Sequence, residues 1–200
     1  WFSSPQITFG GTTLINSGAG SADIFVVKYN PSGNAVWAKS AGGAGADVGY
    51  SLAVDAPGNV YITGIFLSAT ASFGSTVLTN AGGSASDFFI ARYDASGNIS
   101  WAKSAGGTGT DAGYGAAVDG SGDSYFTGWF GSSSISFGTN TLANSGTGND
   151  MFIVKYSASG NATWAKKAGG AGNESGNSIS VDANNNVFVT GLFDSPSVTF

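Results

Sequence analysis

Three stretches of similar sequence decide the fold: Asp23-Ile24-Phe25-Val26-Val27-Lys28-Tyr29, Asp87-Phe88-Phe89-Ile90-Ala91-Arg92-Tyr93 and Asp150-Met151-Phe152-Ile153-Val154-Lys155-Tyr156. The second stretch begins 64 residues after the first, and the third begins 63 residues after the second. Each stretch is apolar at successive positions, so a strand formed there buries both of its faces. A fixed period with such strands predicts an all-β chain in which copies of one unit pack against each other.

The same period relates other residues, which we interpret as structural positions of the repeat. They are the tryptophans of three Trp-Ala-Lys triplets (Trp37, Trp101 and Trp164), Phe25, Phe89 and Phe152, Tyr29, Tyr93 and Tyr156, and Gly64, Gly128 and Gly191. The triplets could stack on a sugar. We favour core packing between units, because each tryptophan alternates with Ala and Lys along a predicted strand.

One unit of about 64 residues contains four predicted strands. In the second unit they cover residues 50–55, 59–67, 88–93 and 99–104, with tight turns at 56–58 and 94–98. A four-stranded antiparallel sheet that is apolar on both faces is stable between copies of itself around an axis, as in a β-propeller blade. An all-β solenoid also stacks repeats, but its coils are usually shorter and lack two successive hairpins. The predicted fold is therefore a β-propeller.

The period divides the chain into three blade equivalents. Residues 1–45 form a half blade of outer strands, 46–108 and 109–172 form one blade each, and 173–200 form a half blade of inner strands. Propellers usually have four to eight blades, so three equivalents do not close a ring. We therefore expect the chain to be a segment of a longer propeller or to oligomerise. Its partner is then further blades of the same longer chain or a second copy of itself.

These units resemble the bacterial and archaeal seven-bladed β-propeller repeat, the SBBP type. That repeat joins Gly-Tyr-Ser-x-Ala-Val-Asp-x-x-Gly-Asn-Val-Tyr-x-Thr-Gly to Asp-x-Phe-x-x-Lys-Tyr and Trp-Ala-Lys. The matching residues are 49–64, 87–93 and 101–103 in one unit, and 113–128, 150–156 and 164–166 in the next. The resemblance implies a propeller within a large secreted or surface-anchored protein, often beside adhesive or sorting modules. It implies no catalytic site.

The composition excludes several classes of function. The chain has no His and no Cys, which removes imidazole and thiolate catalysis, disulfides and the usual zinc sites. Arg92 is its one arginine, too few for a sialidase-like cluster. A net charge of −5 argues against nucleic acid as a partner, and no apolar run is long enough for membrane insertion. We predict a non-enzymatic protein. Because only 10% of its residues are charged and none is Cys, we predict an exported one, extracellular or on the cell surface.

Asp47, Asp111 and Glu174 recur with the period, each just before an inner strand. Repeated around an axis, they would form an acidic ring suited to Ca²⁺, the one cofactor that we consider. Capping of backbone N–H groups within each glycine-rich loop is the alternative, and we favour it. A second set, Asp55, Asp119 and Asp182, is explained by hairpin turns.

The sequence therefore indicates an extracellular β-propeller scaffold with a structural or adhesive role. The alternative is a ligand-binding module, either for a surface glycan or protein or as a calcium-dependent adhesin. Its site would lie in the long loops at residues 69–86 and 133–149, together with the carboxylates of Asp47, Asp111 and Glu174.

Overall fold

The computed structural model of the chain describes residues 1–18 and 20–200. In chain order the strands of these residues are β1 (Gln6–Phe9), β2 (Thr12–Ile15), β3 (Ile24–Tyr29), β4 (Ala35–Ala41), β5 (Asp47–Val54), β6 (Val60–Phe66), β7 (Thr70–Phe73), β8 (Thr76–Thr79), β9 (Asp87–Tyr93), β10 (Ile99–Ala105), β11 (Asp111–Val118), β12 (Ser124–Phe130), β13 (Ser134–Phe137), β14 (Asn140–Ala143), β15 (Asp150–Tyr156), β16 (Ala162–Ala168), β17 (Glu174–Val181) and β18 (Val187–Phe193). No helix occurs in this part of the chain.

Two sheets have four antiparallel strands each. Sheet 1 has the order β5-β6-β9-β10, and sheet 2 has the order β11-β12-β15-β16. The N-terminal pair, β3 and β4, corresponds by the sequence period to the last two strands of a sheet. The C-terminal pair, β17 and β18, corresponds to the first two. The prediction of an all-β chain built from four-stranded antiparallel units is confirmed.

Short hairpins connect the second and third strands. β7 pairs with β8 and β13 with β14, and β1 pairs with β2 ahead of the N-terminal pair. The long loops of the sequence are therefore partly ordered as strands. A single antiparallel bridge joins Phe2 to Asp23, where sheet 1 has the pair Phe66 and Asp87. Phe2 thus occupies the place of the last residue of a second strand.

The first two strands of each unit carry the same irregularity. The register between β5 and β6 shifts between Gly49 and Ser51, and it shifts between Gly113 and Gly115 in sheet 2. The C-terminal pair has the shift between Gly176 and Ser178. A bulge of this kind leaves one residue unpaired and redirects its side chain. The unpaired residues are Tyr50, Tyr114 and Asn177.

Gly64 shows why a glycine recurs in the second strand. A Cβ atom at this position would collide with the carbonyl oxygen of Val48 and lie 2.9 Å from a ring carbon of Phe89, the residue paired with Gly64. Gly128 is equally close to the carbonyl oxygen of Ala112. The glycine therefore lets the bulged first strand approach the second strand closely.

The cores lie between neighbouring sheets. One cluster joins the N-terminal pair to sheet 1 through residues such as Ile24, Trp37 and Phe89. A second cluster joins sheet 1 to sheet 2 and contains Phe88 and Phe126. Strand β9 is buried on both faces, as its apolar sequence predicts. Each sheet is therefore stabilised by its neighbours rather than by a core of its own.

Candidate functional site

The carboxylate of Asp47 forms hydrogen bonds to two loops, the one that precedes β5 and the one that follows β6. Its Oδ2 accepts hydrogen bonds from the Gly43 N–H at 2.8 Å and from the Ser68 hydroxyl at 2.6 Å, and its Oδ1 accepts one from the Ser68 N–H at 3.2 Å. Asp47 is fully buried. Burial raises the pKa of its carboxyl group, and the hydrogen bonds from Ser68 oppose that rise. This is the capping arrangement of a glycine-rich loop.

Asp111 repeats this arrangement in sheet 2. Its Oδ2 accepts hydrogen bonds from the Ser132 hydroxyl at 2.7 Å and from the Gly107 N–H at 3.1 Å. Burial raises the pKa of Asp111 as well, and hydrogen bonds from Ser132 act against it. Glu174 accepts a hydrogen bond from the Gly170 N–H at 2.8 Å through Oε2. All three carboxylates thus lie inside the loops that join one unit to the next.

A second acid faces two of these carboxylates, those of Asp47 and Asp111, and sequence reasoning missed the pairing. Oδ2 of Asp87 accepts a hydrogen bond from the Ala81 N–H at 2.7 Å. Oδ1 of Asp87 has no hydrogen-bond partner within the described ranges 1–18 and 20–200. A Cβ atom at Gly106 would collide with Asp87 Oδ1 and lie 3.0 Å from Asp111 Oδ2, so the two carboxyl groups meet across this glycine. Burial raises the pKa of Asp87 to about 6, and the Asp111 carboxylate adds to the rise. Such a pair favours one bound proton.

The equivalent pairs differ in their surroundings. Asp23 and Asp47 meet across Gly42 in the same way as Asp87 and Asp111 do across Gly106. At the third position, the ammonium group of Lys167 lies 2.7 Å from Asp150 Oδ2. Ser40 and Ser104 stand at the place of Lys167 in the other two units. Asp150 therefore has a side-chain cation beside it, where the chain has a serine in the other two units.

The acidic ring of Asp47, Asp111 and Glu174 stays a prediction. Each of the three side chains is buried and hydrogen-bonded inside its own loop. Among the residues that the structure places, no three Asp or Glu side chains gather closely enough to hold a metal ion. A calcium ion prefers six to eight oxygen ligands. Hydrogen bonds reach both carboxylate oxygens of Asp47 and of Asp111, whereas Oε1 of Glu174 is buried with no hydrogen-bond partner among the described residues.

The turn carboxylates lie at the other ends of the strands. Asp55 accepts the Asn59 N–H at 2.7 Å, and Asp182 accepts the Asn186 N–H at 2.8 Å. Asp119 accepts the Asp123 N–H at 3.0 Å in the same way. Each of these acids closes a hairpin through local hydrogen bonds, as the sequence predicts.

An open cleft of about 600 Å³ lies where the first strands of the units meet. The bulges direct Tyr50 and Tyr114 into it, with their ring centroids 5.1 Å apart and their rings edge to face. Trp129, Asn173 and Asn177 also line the cleft. No motif in the sequence marks this group as a site. The one feature of the sequence that links these residues is the repeat period, which relates Tyr50, Tyr114 and Asn177. The bulge that directs them into the cleft cannot be recognised from the hydrophobic pattern.

The tryptophans of the Trp-Ala-Lys triplets join neighbouring units. The indole N–H of Trp37 donates to the carbonyl oxygen of Ala95 at 3.1 Å, across the boundary between the N-terminal pair and sheet 1. Trp101 makes the equivalent bond to Ala158 at 3.2 Å. Trp101 also stacks on Tyr156, with ring centroids 6.0 Å apart. These rings lie in the packing between sheets and not on an open surface for a sugar.

A membrane-crossing helix, which needs a long apolar run, is not found among residues 1–18 and 20–200. The chain is similar to an uncharacterized WD repeat-containing protein of Acanthamoeba polyphaga mimivirus, with 30% identity over 122 residues. That match covers 59% of this chain and 9% of the viral protein, so the chain corresponds to a small part of its relative's length. Residues 36–64, which run from Trp-Ala-Lys through the first hairpin of sheet 1, match the family model described as a beta-propeller repeat, SBBP. The segment at residues 36–64 is therefore similar to a β-propeller repeat of the SBBP type.

Proposed function

We propose that this chain is a non-enzymatic β-propeller scaffold of an exported protein, with a structural or adhesive role. The observation that carries the proposal is the packing of equivalent four-stranded sheets against each other. Strand β11 lies beside both β5 and β17, so the first strands of three successive units are neighbours. Inner strands of propeller blades are arranged in this way around a central channel.

In this proposal the sheets are blades of about 64 residues. The N-terminal pair within residues 1–45 supplies the outer strands of a blade, and residues 173–200 supply the inner strands of another. Sheets 1 and 2 are the blades at 46–108 and 109–172. Further blades of a longer chain, or a second copy, complete the ring.

Several contacts support a role without catalysis. The guanidinium of Arg92 donates to the Tyr61 hydroxyl at 3.0 Å, and the ammonium of Lys155 lies 2.9 Å from Asp123. Lys167 is paired with Asp150. These cations and the loop carboxylates thus serve contacts within and between sheets. Low charge and the lack of Cys support the proposal that the protein is exported.

Thermal unfolding with ligand panels tests this proposal. The chain is melted with millimolar Ca²⁺, with EDTA, and with a panel of monosaccharides and oligosaccharides. A scaffold has a melting temperature that stays within about 1 °C in all of them, because a ligand stabilises a protein only when it binds the folded state. A rise of several degrees with Ca²⁺ that EDTA reverses would contradict the scaffold and support the calcium-dependent adhesin.

The cleft at Tyr50 and Tyr114 favours a second candidate function, the binding of a glycan. Exposed aromatic rings beside amide groups provide stacking and hydrogen bonds together, and Asn173 and Asn177 supply the amides here. If a sugar raises the melting temperature, Tyr114→Ala should abolish that rise. Val77→Ala, at an exposed residue of β8 outside the cleft, should leave it unchanged.

A further inference from the structure

A polar groove lies where β4 of the N-terminal pair meets the hairpin and the turn of sheet 1. Its lining includes, from β4, the two adjacent turns and the end of β9, the residues Lys39, Ser40, Ser75, Tyr93, Gly97 and Asn98. We call it the Tyr93 groove. It shares no lining residue with the cleft at Tyr50 and Tyr114. Its volume of about 310 Å³ is at the lower end of the range for small-molecule sites, so it suits a ligand the size of one sugar ring.

The hydroxyl group of Tyr93 is buried without a hydrogen-bond partner. The residue is 2% exposed, and its hydroxyl oxygen contacts no donor or acceptor within residues 1–18 and 20–200. Burial raises the pKa of Tyr93, so the hydroxyl keeps its proton and can donate it. A buried polar group without a partner lowers the stability of the fold. An acceptor oxygen of a ligand in the groove would give this hydroxyl the partner that it lacks.

Lys39 supplies an uncompensated positive charge at the same place. Trp37 and Lys39 are two residues apart on β4, so both side chains lie on the face toward the turn. A Cβ atom at Gly97 would lie 2.8 Å from a ring carbon of Trp37 and 3.1 Å from Cε of Lys39. Lys39 makes no salt bridge in the part of the chain that the structure describes, whereas Lys155 and Lys167 each have an acidic partner.

The charge of the groove selects an anion with one negative charge. No Asp or Glu is among the described residues that line it, although the whole chain has a net charge of −5. One ammonium group balances one carboxylate. A phosphate monoester has about 1.5 to 2 negative charges at pH 7, which a single lysine does not balance. A carboxylate therefore fits this groove better than a phosphate does.

The remaining polar groups suit a ligand that has hydroxyl groups. Ser40 and Ser75 have hydroxyls that can both donate and accept hydrogen bonds. The amide nitrogen of Asn98 donates to Asp94 Oδ2 at 3.1 Å, which leaves its amide oxygen as an acceptor. Sugar hydroxyls also donate and accept, so they match this set of groups.

We propose that the Tyr93 groove binds a sugar that carries a carboxylate, of the uronic acid class. The Lys39 ammonium neutralises the carboxylate, the Tyr93 hydroxyl donates to a ligand oxygen, and Ser40, Ser75 and Asn98 bind hydroxyl groups of the ring. This site deepens the adhesive part of the proposed function and rests on it, because a surface rich in acidic polysaccharide would be the partner.

The groups of the groove recur at the next boundary between units. The equivalent positions between sheets 1 and 2 are occupied by Lys103, Ser104, Thr139, Tyr156, Gly160 and Asn161. Tyr156 is buried as Tyr93 is, and burial raises its pKa as well. Repeated sites on one protein bind a polymer more tightly than each site binds one unit of it. A polyuronate that reaches both boundaries should therefore bind more tightly than a single uronate.

Titration of the full chain with sodium glucuronate, followed by amide NMR spectra, tests this inference. Glucose is the matched ligand, because it has a CH₂OH group where glucuronate has its carboxylate. We expect glucuronate to shift the amide signals of Ser75, Gly97 and Asn98 with a dissociation constant of about 1 mM or more, as for a site with few polar contacts. We expect glucose to bind at least about tenfold more weakly, because it lacks the charge-assisted contact with Lys39.

Two variants with matched controls separate binding from folding. Lys39→Gln should weaken glucuronate binding at least about tenfold, and Lys166→Gln, which removes the same charge outside the groove, should not. Tyr93→Phe should weaken binding about three- to tenfold without loss of unfolding free energy, because the hydroxyl has no partner within the described ranges. Tyr29→Phe removes the equivalent hydroxyl at an exposed position and should bind as the unmodified chain does.

Three results would overturn the inference. They are glucuronate that leaves the amide signals of Ser75, Gly97 and Asn98 unchanged, glucose that shifts them equally, and unchanged affinity in Lys39→Gln. Because Lys39 is only partly buried, its variant remains informative even if Tyr93→Phe alters the core. A single weak site changes the melting temperature little at ligand concentrations below its dissociation constant. The titration and the melting experiment with Ca²⁺ and sugars therefore succeed or fail independently.

Discussion

At the scale of single residues, the facing acids Asp87 and Asp111 make stability depend on pH. Burial raises the pKa of Asp87 to about 6 from 3.8, so the folded protein binds this proton more tightly than the unfolded chain does. The stabilisation that the bound proton provides is complete below about pH 4 and is lost as the pH rises through about 6. Each unit of pKa difference corresponds to about 1.4 kcal/mol of unfolding free energy.

Asp87→Asn should therefore stabilise the chain above pH 7. The amide carries no charge, its oxygen can still accept the Ala81 N–H, and its N–H₂ group can donate to Asp111. We expect a gain of about 1–2 kcal/mol at pH 8 and little change at pH 4, measured by urea unfolding at both values. Asp150→Asn is the matched control. Because it leaves Lys167 without its carboxylate, it should give no gain at pH 8, and an equal gain from both variants would contradict this interpretation.

Gly64 provides a second prediction at this scale. Gly64→Ala introduces a Cβ atom that collides with the backbone carbonyl of Val48, which cannot move without breaking the pairing of β5 and β6. We expect a loss of more than about 3 kcal/mol in unfolding free energy, or failure to fold. Gly120→Ala is the control, because a Cβ atom there has no neighbour within 4 Å among the described residues. Urea unfolding of both variants measures the difference.

The facing acids could not be predicted from the sequence. Asp87 and Asp111 are 24 residues apart and lie on the third strand of one unit and the first strand of the next. Their meeting depends on how closely the loop at Gly106 lets two units approach, which no periodicity encodes. By contrast, the roles of Asp55 and Asp182 follow from local turn chemistry and could be predicted.

At the scale of elements, the hydrophobic pattern predicts the strands well where they are buried on both faces. Strand β9 spans Asp87–Tyr93, against a predicted 88–93. The first strand spans Asp47–Val54, whereas the sequence predicts residues 50–55. The bulge at Tyr50 interrupts the alternation of apolar and polar residues, so the part of the strand before Tyr50 was missed. The bulges, and with them the cleft at Tyr50 and Tyr114, arise from pairing that the sequence alone does not show.

The contact between elements that we expect to matter most is the indole bond of Trp101. It joins the outer strand of sheet 1 to the turn between β15 and β16 through the carbonyl oxygen of Ala158. Trp101→Phe should cost about 1–3 kcal/mol of unfolding free energy, since it removes a hydrogen bond and some buried ring area. Trp129→Phe makes the same chemical change at an indole with no hydrogen bond in the described structure, so it should cost less. Equal losses in thermal unfolding would contradict a role for the bond.

At the scale of the whole molecule, the chain consists of sheets that share cores with their neighbours. Trp37 and Phe89 belong to a core between the N-terminal pair and sheet 1, and Phe88 and Phe126 to one between the two sheets. Stability is then a sum over neighbouring units, as in other repeat proteins. The similarity to a β-propeller repeat could be predicted from the sequence, whereas the contacts between sheets depend on packing that the repeat period alone does not show.

The arrangement of the sheets about one axis is the central claim, and X-ray diffraction from crystals of the chain tests it most directly. We expect four-stranded sheets that radiate from a common axis, with β5, β11 and β17 lining a central channel. Sheets stacked in a straight row, with no axis shared by these three strands, would contradict the propeller and favour a solenoid.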